Sequence, residues 1–266
     1  MLVDVHSHIQ LPSFDEDRDD LVKEMGLLPM RAIVVGIDEN TSEKADELAT
    51  KHEFIFSTAG IHPLEEKGSV SLVEKFFTKK KCVAVGECGL DYTRTDDLEK
   101  TKREQQTRFQ EHIEKAAEYK LPLMIHSRTK PEDRGTSRDA HIDVIAMLTE
   151  AKKKHGNDLH AHIHFFTESS YVRKYLDLET TFSFSGVITF VPEYTETVKL
   201  IPLEYIMSET DSPYASPHPK RGRRNNPLNV LHIVDKISEI KGISKDSVIS
   251  TINKNAERVF FQGANF

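Results

Sequence analysis

Short apolar segments alternate along the chain with longer stretches in which apolar residues recur every three or four positions. The short segments are rich in β-branched and aromatic residues and predict strands, whereas the longer stretches predict amphipathic helices. The predicted strands cover residues 2–8, 31–37, 54–61, 82–90, 121–127, 160–166, 181–188 and 205–211. Because strands and helices alternate through the whole chain, the pattern favours an α/β fold, a single (β/α)8 TIM barrel, over an open sheet.

The helical stretches are less even in length than the strands. They cover residues 42–52, 98–120, 139–155, 169–176, 193–200, 227–241 and 244–261. The first of them opens with Ser or Thr as a cap, and Ser244 is the expected N-cap of the last. In the stretch 139–155 we expect Ile142, Ile145 and Leu148 to share the buried face. Two polar loops, 129–138 and 212–226, follow predicted strands, and loops in that position build the active site of a barrel.

The length of 266 residues is within the range of one such barrel, so we predict a single domain over residues 1–266. No apolar run approaches the roughly 20 residues of a membrane span. Asp4 interrupts the one early apolar stretch, which argues against a signal peptide. Cys82 and Cys88 form neither a disulfide framework nor a zinc knuckle. We therefore expect a cytoplasmic protein, with a monomer as the default state.

The formal net charge of the chain is -7. A protein that wraps nucleic acid by its backbone carries a basic surplus, so this balance argues against extensive non-specific binding of that kind. It leaves a nuclease possible, because bound divalent cations would supply local positive charge that a count of side chains misses.

Histidines and carboxylates stand at the ends of several predicted strands. His6 and His8 are two apart, so they point to the same face of the first strand. Glu87 lies inside the apolar fourth strand, between Gly86 and Gly89, which would allow close approach of a ligand or of another backbone. A buried carboxylate needs a partner, either a metal or an Arg or Lys from a neighbouring strand.

The fifth and sixth strands end in the same way. His126 ends the fifth, and Arg128 follows on the same face. His160, His162 and His164 share one face of the sixth strand, and His164 is nearest the carboxyl end, where barrel sites lie. We therefore expect His164 to be a ligand, with His162 in the barrel interior and His160 at its opposite end.

The eighth strand ends in a pair of acids, Glu209 and Asp211, on one face. Two carboxylates pointing into an apolar barrel repel each other unless a cation lies between them. Asp211 is the better direct ligand and base, and Glu209 would orient a ligand or touch a metal itself. Imidazoles with a bridging carboxylate suit zinc, manganese or iron, whereas magnesium prefers more oxygen ligands. The pattern leaves the metal open among zinc, magnesium and manganese.

These motifs resemble those of the TatD family of metal-dependent deoxyribonucleases, within the wider amidohydrolase-like, metallo-dependent hydrolase barrels. The matching segments run in order through nearly the whole chain and are residues 4–8, 60–63, 86–92, 126–128, 164–167, 209–213, 224–227 and 255–260. The set is specific to the level of the family.

The resemblance implies two divalent metal ions. One would be held by His6, His8, Glu87 and Asp211, and the other by Glu87, His126 and His164, with Glu87 bridging. It also implies that His62 and Arg128 face a substrate phosphate.

Two departures from the family pattern concern the substrate rather than the metals. About ten residues, 129–138, are inserted before Asp139, and Arg138 thereby becomes a rival of Arg128 for the phosphate. After the sixth strand, Phe165 and Glu168 stand where a small residue and Gly are common.

These observations lead to the hypothesis that the protein is a DNA phosphodiesterase. We expect it to work from an end of the DNA or on single strands. Asp211 would be its proton acceptor, and Glu87, Arg128 and His62 would be further catalytic residues. Lys220, Arg221, Arg223 and Arg224 would contact the DNA backbone. One alternative is an esterase or amidase on the same site, for example an aminoacyl-RNA deacylase, and the other is a non-catalytic barrel used for binding.

Overall fold

The protein, as a computed structural model that describes residues 1–156 and 159–262, is built around one parallel sheet. Within these residues the sheet has eight strands in the order of the chain, as a barrel requires. The strands are β1 (Leu2–Ser7), β2 (Met30–Val35), β3 (Ile55–Ala59), β4 (Cys82–Asp91), β5 (Leu123–Arg128), β6 (Ala161–Ile163), β7 (Thr181–Phe184) and β8 (Ile206–Ser208). The predicted fold class is confirmed.

The two outer strands of this order come together at the carboxyl end of the barrel. Ser7 and Ser212 form a parallel bridge, and the backbone N–H of His8 donates to the carbonyl of Ser212 at 2.7 Å. The N–H of Asp211 donates to the carbonyl of His6 at 2.9 Å. The seam between β1 and the segment after β8 therefore lies beside the predicted ligands His6, His8 and Asp211.

The helices lie between the strands and at the C-terminal end. In the described residues they are α1 (Arg18–Gly26), α2 (Glu39–Lys51), α3 (Val70–Val73), α4 (Leu98–Tyr119), α5 (Ala140–His155), α6 (Val172–Leu176), α7 (Tyr194–Leu200), α8 (Val230–Lys241) and α9 (Lys245–Val259). Ser244 caps α9 as expected. None of the helices in this described part is long and apolar enough to cross a membrane.

Four helices differ from the prediction. α1 and α3 were not predicted, because they are short and bury only a few apolar side chains each. α2 begins three residues before the predicted Ser42, since Asp38 accepts from the N–H of Thr41 and closes a capping box. In α5 Leu148 is buried and Ile145 packs against the core as expected, but Ile142 is 37 % exposed and Val144 is buried in its place.

The last three strands are shorter than predicted. β6, β7 and β8 end at Ile163, Phe184 and Ser208, and a short 3-10 helix replaces the predicted end of β7. His164, Glu209 and Asp211 therefore lie just beyond strands rather than within them. The backbones of His164 and Glu209 still hydrogen-bond to the neighbouring strands, whereas Asp211 has a left-handed conformation, so strand alternation does not set its side-chain direction.

Candidate metal centre

β1 carries the first two histidines into a buried cluster. The Nε2 atoms of His6 and His8 face each other at 3.1 Å, as the shared strand face predicts. His8 donates from Nδ1 to the carbonyl of Val35 at 2.9 Å, so the lone pair of its Nε2 is free to point into the cluster. The ring of His6 stacks on that of His164, with centroids 3.8 Å apart.

β4 places Glu87 at the centre, where it is only 3 % exposed. The approach of β4 to β5 depends on glycine: a Cβ at Gly86 would lie 2.3 Å from the carbonyl oxygen of Met124, and one at Gly89 would lie 2.0 Å from that of His126. The flanking glycines therefore serve the close approach of a neighbouring backbone, one of the two uses expected from the sequence.

The two oxygens of Glu87 face two different sets of nitrogens. Oε2 lies 3.4 Å from Nε2 of His6 and 3.7 Å from Nε2 of His8. Oε1 lies 3.1 Å from Nδ1 of His126 and 2.9 Å from Nε2 of His164, and these two nitrogens are 3.3 Å apart. One carboxylate therefore stands between two groups of imidazoles.

Asp211 completes the first group. Its Oδ1 lies 3.5 Å from Nε2 of His8 and 3.8 Å from Nε2 of His6. The residue reaches this position through a left-handed backbone conformation, with a φ of 51°. The approach of Asp211 to the histidines of β1 follows from this turn and from the seam with β1, not from the strand alternation on which its prediction rested.

Glu209 lies on the other side of the cluster. Its Oε1 accepts from the backbone N–H of Phe165 at 2.9 Å and lies 3.6 Å from Nδ1 of His164. Its Oε2 accepts from the hydroxyl of Ser183, which also lies 2.7 Å from Nε2 of His162. Glu209 thus supports the backbone and ring of His164, and His162 is a buried interior residue as expected.

The pKa values in the cluster reflect this crowding. Burial raises the pKa of Glu87, but the neighbouring charge of His164 is the largest of several effects that outweigh burial and leave it well below its usual range. Burial lowers the pKa of His164, but the neighbouring Glu87 and Glu209 outweigh it and raise the pKa well above its usual value. Burial and the charge of His164 lower the pKa of His6.

Asp91, which the sequence analysis did not single out, orients His126. Its Oδ2 lies 2.9 Å from Nε2 of His126, and its Oδ1 accepts from the N–H of Thr93 at 2.8 Å. A carboxylate at Nε2 keeps the proton there, so the lone pair of Nδ1 points toward Glu87 and His164. The sequence contained a sign of this role, because Asp91 follows Glu87 by four residues and therefore lies on the same face of the strand.

His62 is close to the same group, with Nε2 3.5 Å from Oε1 of Glu87. His62, Glu87 and His126 are near enough to share an ion. However, Nδ1 of His62 accepts from the N–H of Leu64 at 3.1 Å, which leaves the proton on Nε2. Burial lowers the pKa of His62 to about 3, so the ring is neutral at pH 7. A neutral ring with Nε2–H is a hydrogen-bond donor toward the cluster and offers no lone pair to a metal there.

The donor set fits divalent metal ions. Its ligand atoms form groups within 4.8 Å of one another, including His6, His8 and Glu87, and His6, His164 and Asp211. Imidazole nitrogens that face each other at 3.1 Å and 3.3 Å repel unless a proton or a cation lies between them. Nitrogen ligands with a bridging carboxylate are typical of zinc and of neighbouring transition metals.

Arg128 and Arg138, the two arginines predicted as rivals for the phosphate, lie outside the cluster. Arg128 ends β5 with an exposed side chain that makes no ion pair with any other described residue. Its rival Arg138 pairs with Asp133 at 3.0 Å. In the basic loop, Arg224 is bound to Asp17 and lies over the ring of Phe14, and its contact with DNA stays a prediction.

The first residue of the motif on β1, Asp4, was not given a role from the sequence. It is fully buried, and its Oδ1 and Oδ2 accept from the N–H and the hydroxyl of Thr210 at 2.9 Å and 2.6 Å. Asp4 thereby ties β1 to the segment between Glu209 and Asp211. A buried acid at the start of the His-x-His motif was the signal that could have identified it.

Comparison with known proteins agrees with this site. The profile of the family described as TatD related DNase matches residues 3–261. The chain is 31% identical over 269 residues to the uncharacterized metal-dependent hydrolase YabD of Bacillus subtilis, covering 98% of this chain and 99% of that protein. It is 29% identical to the uncharacterized metal-dependent hydrolase YcfH of Escherichia coli, covering 97% and 95%.

The fold has close counterparts among solved structures. The crystal structure of YJJV, a TatD homolog from Escherichia coli, superposes with a TM-score of 0.85 at 22% identity and covers 98% of both chains. Together with the profile match and the curated relatives, these findings show that the chain belongs to the TatD related DNase family of metal-dependent hydrolases.

Proposed function

We propose that this protein hydrolyses phosphodiester bonds of DNA, at strand ends or in single-stranded regions, with two divalent metal ions. The observation that carries the proposal is the position of Glu87 between two groups of nitrogens, one facing each of its oxygens. His6, His8, Glu87 and Asp211 would hold one ion, and Glu87, His126 and His164 would hold the other. When bound, such ions lower the pKa of a water molecule and neutralise charge on the phosphoryl oxygens.

Asp211 is suited to accept the proton of the attacking water. Its carboxylate has one oxygen toward His6 and His8, and its side chain is 13% exposed at the mouth of the barrel. Glu87 and Glu209, by contrast, are buried and occupied by imidazoles and backbone N–H groups. A base must reach both the site and the solvent path of the proton, and Asp211 is the carboxylate of this cluster that does so.

His62 and Arg128 would bind the phosphoryl group. His62 offers a neutral Nε2–H donor beside Glu87, and Arg128 offers an unpaired guanidinium among the described residues at the end of β5. Donors that are already oriented stabilise charge as it develops on the phosphoryl oxygens. In the loop after Asp211, Arg221 lies over the ring of Phe190 at 3.6 Å, and the exposed Lys220 and Arg223 are candidates for further backbone contacts.

DNA is favoured over an ester or amide substrate by two features. The family is described as a DNase family, and the rim carries cations that suit a phosphate-bearing substrate. The barrel mouth favours a frayed end or a single strand, because a stacked duplex enters a recess poorly. A cytoplasmic location and a monomeric state stay predictions.

The test is a panel of substrates with added zinc, manganese or magnesium. End-labelled single- and double-stranded DNA, an aminoacyl-RNA and a lactone are each incubated with wild type and with Asp211→Asn. We expect cleavage of DNA by wild type, fastest on the single strand, and a loss of roughly 100-fold or more in Asp211→Asn, whose neutral amide cannot accept a proton. Cleavage of the aminoacyl-RNA or lactone instead of DNA would favour the alternative substrates.

A further inference from the structure

The two departures from the family pattern contact each other. Arg134, in the inserted loop of residues 129–138, donates from Nη2 to Oε1 of Glu168 at 2.6 Å. Glu168, the residue that replaces a common Gly, is buried and lies four positions after His164. The ion pair thus joins the loop after β5 to the loop after β6.

The inserted loop is also held at its base. Asp139 accepts from the hydroxyl of Thr129 at 2.9 Å and from the N–H of Gly135 at 2.7 Å. The hydroxyl of Tyr171, from the segment after β6, donates to the same carboxylate. Lys102 of α4 donates to the carbonyl of Ser137 at 2.8 Å. These contacts attach the loop to the rest of the protein and give it a defined position.

This position matters because of what lies beside it. Arg128, the proposed phosphate contact, directly precedes the loop, and His126 and His164 lie on the two segments that the ion pair joins. A continuous DNA strand whose scissile phosphate reaches the site must leave the barrel mouth in two directions. A loop fixed between the β5 and β6 segments would obstruct one of them.

We propose that Arg134 and Glu168 determine substrate specificity by latching residues 129–138 as a wall that requires a DNA end at this side of the site. The inference rests on the proposed function and deepens it. Breaking the ion pair detaches the Arg134 part of the loop from the segment after β6, while the contacts of Asp139 and Lys102 still hold the base of the loop, and a strand without an end then passes more readily. The pair is partly exposed, with side chains 42% and 10% exposed, so its contribution is that of a rim contact and not of a buried core pair.

The experiment compares linear single-stranded DNA with a covalently closed circle of the same sequence. The enzymes are wild type, Arg134→Ala, Glu168→Gln and the charge reversal Arg134→Glu with Glu168→Arg. The matched control is Lys130→Ala, which removes a cation from the same loop without touching the latch. We expect the ratio of circle to linear cleavage to rise about fivefold in the single variants, as about 1 kcal/mol predicts. In the charge reversal the ratio should return toward that of wild type. In Lys130→Ala the ratio should equal that of wild type.

Three results would overturn the latch: an unchanged ratio in both single variants, an equal rise in Lys130→Ala, or a wild type that already cuts the circle as fast as the linear strand. Bis(p-nitrophenyl) phosphate, which has no strand that must leave the site, separates this failure from that of the proposed function. Its hydrolysis should be the same in wild type and in the latch variants.

A wild type that cleaves neither DNA nor this diester would refute the proposed function itself. Limited trypsin digestion then still tests the latch, because Glu168→Gln should be cut after Arg134 faster than wild type. Equal rates of digestion would show that Glu168 does not hold the loop.

Discussion

Replacing Asp91 by Asn should weaken metal binding without removing any proposed ligand. Asp91 accepts at Nε2 of His126, 2.9 Å away, and this contact directs Nδ1 of His126 toward Glu87. Asp91 is itself held, since its N–H and carbonyl pair with the side-chain amide of Gln105 at 2.8 Å and 3.0 Å. An amide in its place can donate to Nε2, which would move the imidazole proton to Nδ1, the atom that should bind the metal.

The expected loss of metal affinity follows from this geometry. Burial raises the pKa of Asp91, but the hydrogen bonds from His126 and Thr93 outweigh it and lower the pKa to about 2, so the carboxylate is ionised at pH 7. Removing such a partner of a ligating histidine lowers metal affinity about 10- to 100-fold. This corresponds to roughly 1.4–2.7 kcal/mol. The shape of the side chain is kept, so the fold should persist.

A chelator-competition titration with zinc measures this loss. The matched control is Asp143→Asn, the same chemical change at a carboxylate that contacts the hydroxyl of Tyr92 and no histidine of the cluster. We expect wild-type affinity in Asp143→Asn and the loss in Asp91→Asn. Equal affinities in Asp91→Asn and wild type, or equal losses in the two variants, would refute the role assigned to Asp91.

Three further predictions follow from the same cluster. Glu87→Ala should lose both ions and His6→Ala only one, because Glu87 faces both groups of nitrogens; elemental analysis that finds equal metal content in the two variants would contradict the bridge. His62→Ala should keep its metal yet hydrolyse DNA about 100-fold more slowly, as for a lost oriented donor; loss of metal in this variant would make His62 a ligand. Metal at 100 times its dissociation constant should stabilise the fold by about 2.7 kcal/mol per site and raise Tm by roughly 5–10 °C, and calorimetry with and without chelator would show no shift if the ions are not bound by the native state.

Much of the barrel and of its site could be predicted from local pattern. The strands are apolar and short, and the histidines of β1 share a face because the strand period is two. The glycines around Glu87 were expected to allow close approach, and the backbone of β5 is what approaches. Where two proposed ligands lie on one strand, the strand period alone predicts that their side chains share a face.

The features of the site that the sequence pattern did not predict depend on local turns and on contacts between segments. Asp211 reaches the cluster through a left-handed turn after β8 has ended, and strand alternation contains no information on that turn. The tautomer of His62 is set by the hydrogen bond that it accepts from the N–H of Leu64. The side chain of Arg224 is positioned by Asp17 and Phe14, which are more than 200 positions away in the sequence. Ile142 was misplaced because the tertiary packing of α5, and not its periodicity alone, decides which face is buried.

The central claim is that Glu87 bridges two metal ions, and anomalous X-ray scattering tests it most directly. Crystals grown with zinc or manganese would be measured on both sides of the absorption edge of that metal. We predict two anomalous peaks, one among His6, His8 and Asp211 and one between His126 and His164, with an oxygen of Glu87 toward each. Crystals that show no peak in the cluster, or a single peak that Glu87 does not contact, would contradict the account.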